Sequence, residues 1–186
     1  MGTWTSRGLR GSLLEELINM TNEKYQLSNL ALIQKIPTPI TPVRFDSKNK
    51  RITDAYFDTQ STVDYIGLVQ GIPVCFDAKE CSKDTFSLAN IHDHQMAFME
   101  KFEKQQGIAF FLVCYIHMDR YFYIPYRHMK KFYDRCKEGG RKSFRFEEVD
   151  QVYEVFNTKG YPVHYLEALS RDLLARDQQE NKGKND

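Results

Sequence analysis

A chain of 186 residues with 26 Lys and Arg against 25 Asp and Glu has a formal net charge of +1, so global charge gives no reason to expect a polyanionic partner. An apolar fraction of 41%, with 13% aromatic residues, can fill the core of one domain and excludes general disorder. The longest apolar run, Ile108 to Ile116, is half the roughly 18 residues needed to cross a bilayer, and Met1 to Arg10 lacks the apolar stretch of a secretory signal. A cytoplasmic protein without membrane contact is the expectation. Cys75, Cys81, Cys114 and Cys136 form no C-x-x-C pair, which suits reduced structural thiols better than zinc ligands.

Ser12 followed by Glu15 reads as a capping box, and Leu13, Leu14, Leu17, Ile18 and Tyr25 suit a helix over 13–25. Ala31 to Ile36 is strand-like and stops at Pro37-Thr38-Pro39, where neither proline can donate to a ladder. From Pro42 to Ser61 the composition is polar and without period, as in an exposed loop or a protruding arm. Val63–Val69 and Ile72–Lys79 are strands about a Gln70-Gly71 turn. A helix over 89–106 follows, then the continuous apolar strand 108–116, buried on both faces, and a partner strand at 120–124. Helices over 126–138 and 165–175 complete a single domain over 1–175, and 176–186 reads as a polar mobile tail. The order of elements predicts an α/β fold with a mixed sheet flanked by helices.

A two-residue turn at Gln70-Gly71 pairs Val69 with Ile72, and the same register sets Asp64 against Asp77. Opposed Cβ atoms lie about 4.5 to 5.5 Å apart, where like charges are destabilising. A divalent cation removes the conflict, since Mg²⁺ takes one or two carboxylates and fills its other positions with water and phosphate. Alternation places Lys79 on the face of Asp77. The alternative is an ion-pair cluster on an exposed sheet face. Against it, Asp is disfavoured in strands, and the neighbours Val63, Tyr65, Phe76 and Ala78 are apolar.

The runs Ser61-Thr62-Val63-Asp64-Tyr65-Ile66-Gly67, Phe76-Asp77-Ala78-Lys79-Glu80 and Asn90-Ile91-His92-Asp93-His94-Gln95 closely resemble the RecU family of Holliday junction resolvases. Arg10-Gly11, Leu14-Glu15, Thr21-Asn22, Lys35 with Pro37-Thr38-Pro39, Ala55-Tyr56-Phe57, Gly107 to Phe110 and Gly140 to Ser143 extend the likeness over about residues 10–173. The resemblance implies a restriction-endonuclease-like fold of the PD-(D/E)xK kind, with 42–61 as a protruding stalk. It also implies a bacterial or phage-encoded homodimer that cuts four-way DNA junctions with Mg²⁺, Mn²⁺ being the alternative. A RecA-type recombinase or a branch-migration helicase are the protein partners that fit such a role.

Carried over residue by residue, Asp64 and Asp77 are the metal ligands and Lys79 is the motif lysine. Glu15 is the acid of the first helix, with helix capping as its other reading. Gln95 either orients water or phosphate, or ties helix to sheet as a buried amide. Lys35 is placed to contact the DNA backbone beside the site, and Lys48, Lys50 and Arg51 align with basic residues of the stalk. His92 and His94, on a helix, would point about 200° apart and share no metal. Between Arg127 and Arg145, eight basic residues face Asp134 and Glu138, a local excess of +6 that suits phosphate contacts, with Arg141 and Lys142 as its DNA-binding candidates. The competing readings are a junction-binding, recombinase-modulating protein that cuts weakly, and a nuclease of duplex or other branched DNA.

Overall fold

A computed structural model describes residues 12–57 and 62–183. Arg10, Gly11 and Ser61 of the family motifs lie outside the described residues, as do Met1 to Arg10 and the last three residues of the tail. The elements are α1 (Leu13–Leu27), β1 (Leu32–Lys35), β2 (Ile40–Asp46), β3 (Arg51–Phe57), β4 (Tyr65–Val69), β5 (Ile72–Cys81) and β6 (Thr85–Ser87). They continue as α2 (Asp93–Lys104), β7 (Ile108–Tyr115), β8 (Arg120–Pro125), α3 (Tyr126–Lys137), β9 (Ser143–Arg145), β10 (Glu154–Val155) and α4 (Leu166–Gly183).

Six strands form one mixed sheet in the order β1-β4-β5-β7-β8-β10. β5 and β7 are the one parallel pair of this sheet, joined by a crossover through α2. Every residue of β7 is buried, as its unbroken apolar run requires at the centre of a sheet covered on both faces. Alternation divides the core in two. Phe76, Phe110 and Leu112 pack with Leu14 and Ile18 of α1 and with Leu169 of α4. Cys75, Phe111 and Val113 pack on the other face with Met96 and Met99 of α2 and Met129 of α3. Gly67 keeps β1 close to β4, since a Cβ there would sit 2.1 Å from the Leu32 carbonyl oxygen.

The segment read as a loop or arm is an arm, and it begins at Ile40, before the predicted start. β2 and β3 pair with each other alone, as a separate two-stranded sheet. Val43, Phe45, Ile52 and Tyr56 are all exposed. A ribbon with no buried face has no apolar alternation to read, which is why the segment looked aperiodic. At its tip Asp46 accepts hydrogen bonds from the Lys48 and Asn49 amides (2.9 and 3.2 Å), and Lys50 takes φ +50°.

Two boundaries need correction. The helix expected from Ala89 starts at Asp93, because Ser87 accepts a hydrogen bond from the Ala89 amide and caps a short 3₁₀ turn first. The tail expected to be mobile from Arg176 is helical to Gly183. Arg176 donates to both oxygens of Glu103 at 2.9 and 2.7 Å and to Asp172 one turn earlier at 3.3 Å, pinning the helix to the body. Asp172 is fully buried and also accepts from Tyr123 (2.7 Å) and Arg127.

Candidate active site

Gln70 (φ 48°) and Gly71 (φ 87°) both adopt left-handed backbone, as the twist of a two-residue hairpin demands. The predicted register follows, from Val69 opposite Ile72 to Tyr65 opposite Phe76. β4 ends there, and the next position belongs to Asp64. Its carbonyl accepts from Ile36 N at 2.7 Å, and its carboxylate takes over from the ladder by accepting from Ala78 N at 2.9 Å. Asp64 and Asp77 thus meet at the mouth of the hairpin, near enough for each to bear on the other's charge.

Asp77 is wholly buried. Gln95 Nε2 donates to both its oxygens (2.9 and 3.0 Å), and Lys79 Nζ forms an ion pair with Oδ2. Burial pushes the Asp77 carboxyl up from 3.8 to about 7; Lys79 opposes the shift and Asp64 adds to it. With its ordinary charge restored, Asp77 would face Asp64 in a site where a single ammonium balances two carboxylates. Hard oxygen donors and an uncompensated negative charge suit a small divalent cation. Among the described residues no three acid, His or Cys side chains converge as a closed metal cage would need. Two carboxylates with open positions are the pattern of a Mg²⁺ site that leaves room for water and phosphate.

The remaining candidates divide by location. Gln95 has the geometry of the buried tie: its Oε1 accepts from His92 N at 3.1 Å while its amide grips Asp77, joining α2 to β5. Glu15 is carried by α1, on the face opposite Asp77, and its carboxylate pairs with Lys35 at 2.7 Å. Ser12 caps the helix at the Glu15 amide (3.3 Å), so the capping reading holds for the backbone while the carboxylate is engaged elsewhere. Lys35 pairs in register with Tyr65, next to Asp64, and so stands beside the site. The Tyr65 hydroxyl, bonded to Asn19 (3.0 Å), has its pKa raised by burial and then by Glu15, Asp64 and Asp77, so all three acids bear on this ring. Lys48, Lys50 and Arg51 lie at or next to the arm's exposed tip, away from its base at the active end of the sheet.

Sequence reasoning missed Glu80. Its carboxylate accepts from the Leu14 amide at 3.0 Å, so β5 itself caps α1 and fixes the helix that carries Glu15. Its place in the Asp77 to Glu80 run, on the face opposite Asp77, was the available signal.

Two charge readings change. His92 is the N-cap of α2 and lies outside the helix, so the expected 200° divergence fails; the His92 and His94 rings stack, 5.4 Å apart and 8° from parallel. The basic segment is largely neutralised through space. Arg127 pairs with Asp172, Lys130 with Asp134, Arg135 and Arg141 with Glu148, and Lys137 with Asp93. Counting Asp93, Glu148 and Asp172 with Asp134 and Glu138, eight bases face five acids, an excess of +3 in place of +6. Lys131, Lys142 and Arg145 make no ion pair among the described residues and are exposed.

The sequence model of the family described as recombination protein U, RecU, matches residues 9–171. A protein named Holliday junction resolvase RecU from Oenococcus oeni is 37% identical over 169 residues, covering 88% of this chain and 86% of that one. Its namesake from Listeria innocua is 39% identical over 149 residues, with 78% and 74% covered. The solved Holliday junction resolvase Hjc of Archaeoglobus fulgidus overlaps with a TM-score of 0.31 at 9% identity, over 57% of this chain and 70% of that one. On the match of its sequence over nearly its whole length, this chain belongs to the RecU family.

Proposed function

We propose that this chain is a Mg²⁺-dependent endonuclease that resolves four-way DNA junctions, acting as a homodimer. The observation that carries this reading is the buried Asp77 carboxylate, held against Asp64 by a fixed hairpin register, with Lys79 and Gln95 as its other partners. The relatives' shared name supplies the substrate. Asp64 and Asp77 would hold Mg²⁺, or Mn²⁺ in its place, and the bound ion supplies Lewis-acid activation of the scissile phosphate and a more acidic water.

The chain's own residues do the rest. Gln95 fixes both oxygens of Asp77, so the buried carboxylate keeps one orientation behind the partly exposed Asp64. Lys79, partly exposed beside Asp77, directs its ammonium at a phosphate oxygen or at the attacking water and offsets charge as it grows on the phosphate. Glu15 with Lys35 forms a second charged pair at the same end of the sheet, where Lys35 meets the DNA backbone. Junction selectivity rests on shape: two sites at a fixed spacing, and an arm with Lys48, Lys50 and Arg51 toward its tip for the open centre. Phosphate contacts of this kind position DNA and carry no sequence information.

The test is cleavage of a mobile four-way junction and of linear duplex, with Mg²⁺ or EDTA, by the wild type and Asp77→Asn. Metal-dependent paired nicks in the junction alone, lost in the variant, are the expected result. Junction binding without cleavage in any divalent metal refutes the enzymatic reading and leaves a recombinase-modulating binder. Comparable duplex cutting refutes junction selectivity.

A further inference from the structure

β10 pairs only with Tyr121 and Phe122, so the outer edge of β8 is uncovered from Tyr123 to Pro125. α3 and the 3₁₀ turns at Phe146–Glu148 and Gln151–Tyr153 close over this gap around a cavity of about 250 Å³. Rings make up much of its wall: Tyr123, His128 edge-on to Tyr153 (5.6 Å between centroids, 70°), and Phe132, which is backed from outside the cavity by Phe144 (4.3 Å, 13°). Asp150 and Lys131 supply polar groups. One Asp150 oxygen is engaged by the Val152 amide at 3.1 Å, leaving the other available. Lys131 is exposed and unpaired among the described residues, whereas Glu148, also in the lining, is turned to Arg135 and Arg141. Burial, with Arg127 and Lys131 nearby, lowers the pKa of His128, and a neutral imidazole offers one donor and one acceptor.

The cavity is tied to the candidate active site by sheet register. Asp77 pairs with Phe111, Phe111 with Ile124, and Ile124 lines the cavity. Two interstrand spacings, about 10 Å, separate the carboxylate from the cavity wall along one row of one face.

We propose that this cavity receives one unpaired base of the DNA, stacked against its ring walls, with the adjoining phosphate on Lys131. The inference rests on the junction-cutting reading and extends it to a base subsite. A flat occupant with hydrogen-bonding edges matches ring walls, a neutral imidazole and a free carboxylate oxygen, and a single unpaired ammonium at the rim matches its phosphate. Bases beside a branch point cost less to extrude than those within a duplex arm, because the crossover already interrupts their stacking.

The experiment measures junction affinity of the wild-type protein in EDTA, with single abasic residues placed at successive positions from the crossover. One position is expected to weaken binding by about five-fold or more, the value of one base stacked on aromatic rings. His128→Trp, which fills the cavity, should flatten that profile. A flat profile for the wild type, or the same peak in a His128→Trp protein of unchanged melting temperature, overturns the proposal. In a second arm, deoxyadenosine monophosphate should shift the Lys131 and Tyr153 amide resonances saturably, and deoxyribose 5-phosphate should not. Equal shifts from the sugar phosphate, or none from the nucleotide, overturn it. This arm needs no junction, so a wild type that fails to bind junctions sinks the resolving function separately from the cavity.

Discussion

Asp77→Asn is expected to stabilise the metal-free protein while abolishing cleavage. The buried carboxyl titrates near 7 in the native state against 3.8 in its ordinary surroundings. Between roughly pH 4 and pH 7 the native state keeps a proton that the unfolded chain has released, so stability falls as pH rises through that window, and the loss is complete above it. At about 1.4 kcal/mol per unit, the ceiling is about 4 kcal/mol near pH 8. Asparagine never takes the charge, and the Lys79 ion pair is already contained in the shift, but one of the two oxygens that accept from Gln95 becomes a nitrogen that cannot. About half the ceiling should therefore appear, roughly 2 kcal/mol, or a melting temperature some 4 to 8 °C higher for a chain of this size. The assay is thermal melting of wild type and variant in EDTA near pH 5 and near pH 8. The variant's advantage should be largest near pH 8 and nearly absent near pH 5, because about two of the three pH units over which the wild type loses stability lie between them. Mg²⁺ should raise the melting temperature of the wild type alone. A gain independent of pH, or a variant less stable near pH 8, would refute the argument that burial and Asp64 together strain this carboxylate.

Glu80→Ala should cost about 1 kcal/mol, the value of a helix cap, and Glu80→Gln less, because an amide oxygen can still accept from Leu14 N; urea unfolding of both variants measures it. Asp172→Asn should cost about 3 to 5 kcal/mol, since it leaves Arg127 and Arg176 without their buried partner; a change below 1 kcal/mol in the same assay would show that the network is not coupled to folding. Lys142→Ala should weaken junction binding and flatten its salt dependence more than Arg141→Ala, whose guanidinium already lies 3.4 Å from Glu148; binding isotherms across a salt series rank the two.

What could be read from the sequence was whatever local geometry enforces. Gln70-Gly71 fixes a two-residue turn, and the turn fixes a register that needs no knowledge of the rest of the fold, so the meeting of Asp64 and Asp77 followed from counting. Lys79 followed from alternation, and the burial of β7 from an unbroken apolar run. The errors over charged residues share a different cause: the partners that settle them are distant in sequence. The excess read over 127–145 was halved by Asp93, Glu148 and Asp172, none of which lies in that segment. The tail looked mobile because its composition is polar, yet Glu103, more than seventy positions earlier, holds Arg176 through both its oxygens. Glu80 escaped notice for the same reason, since its partner is an amide of the first helix. A polar side chain shows its role only through its partner, whereas an apolar one shows it through period. The two aspartates were legible because a hairpin turns their long-range contact into a local one.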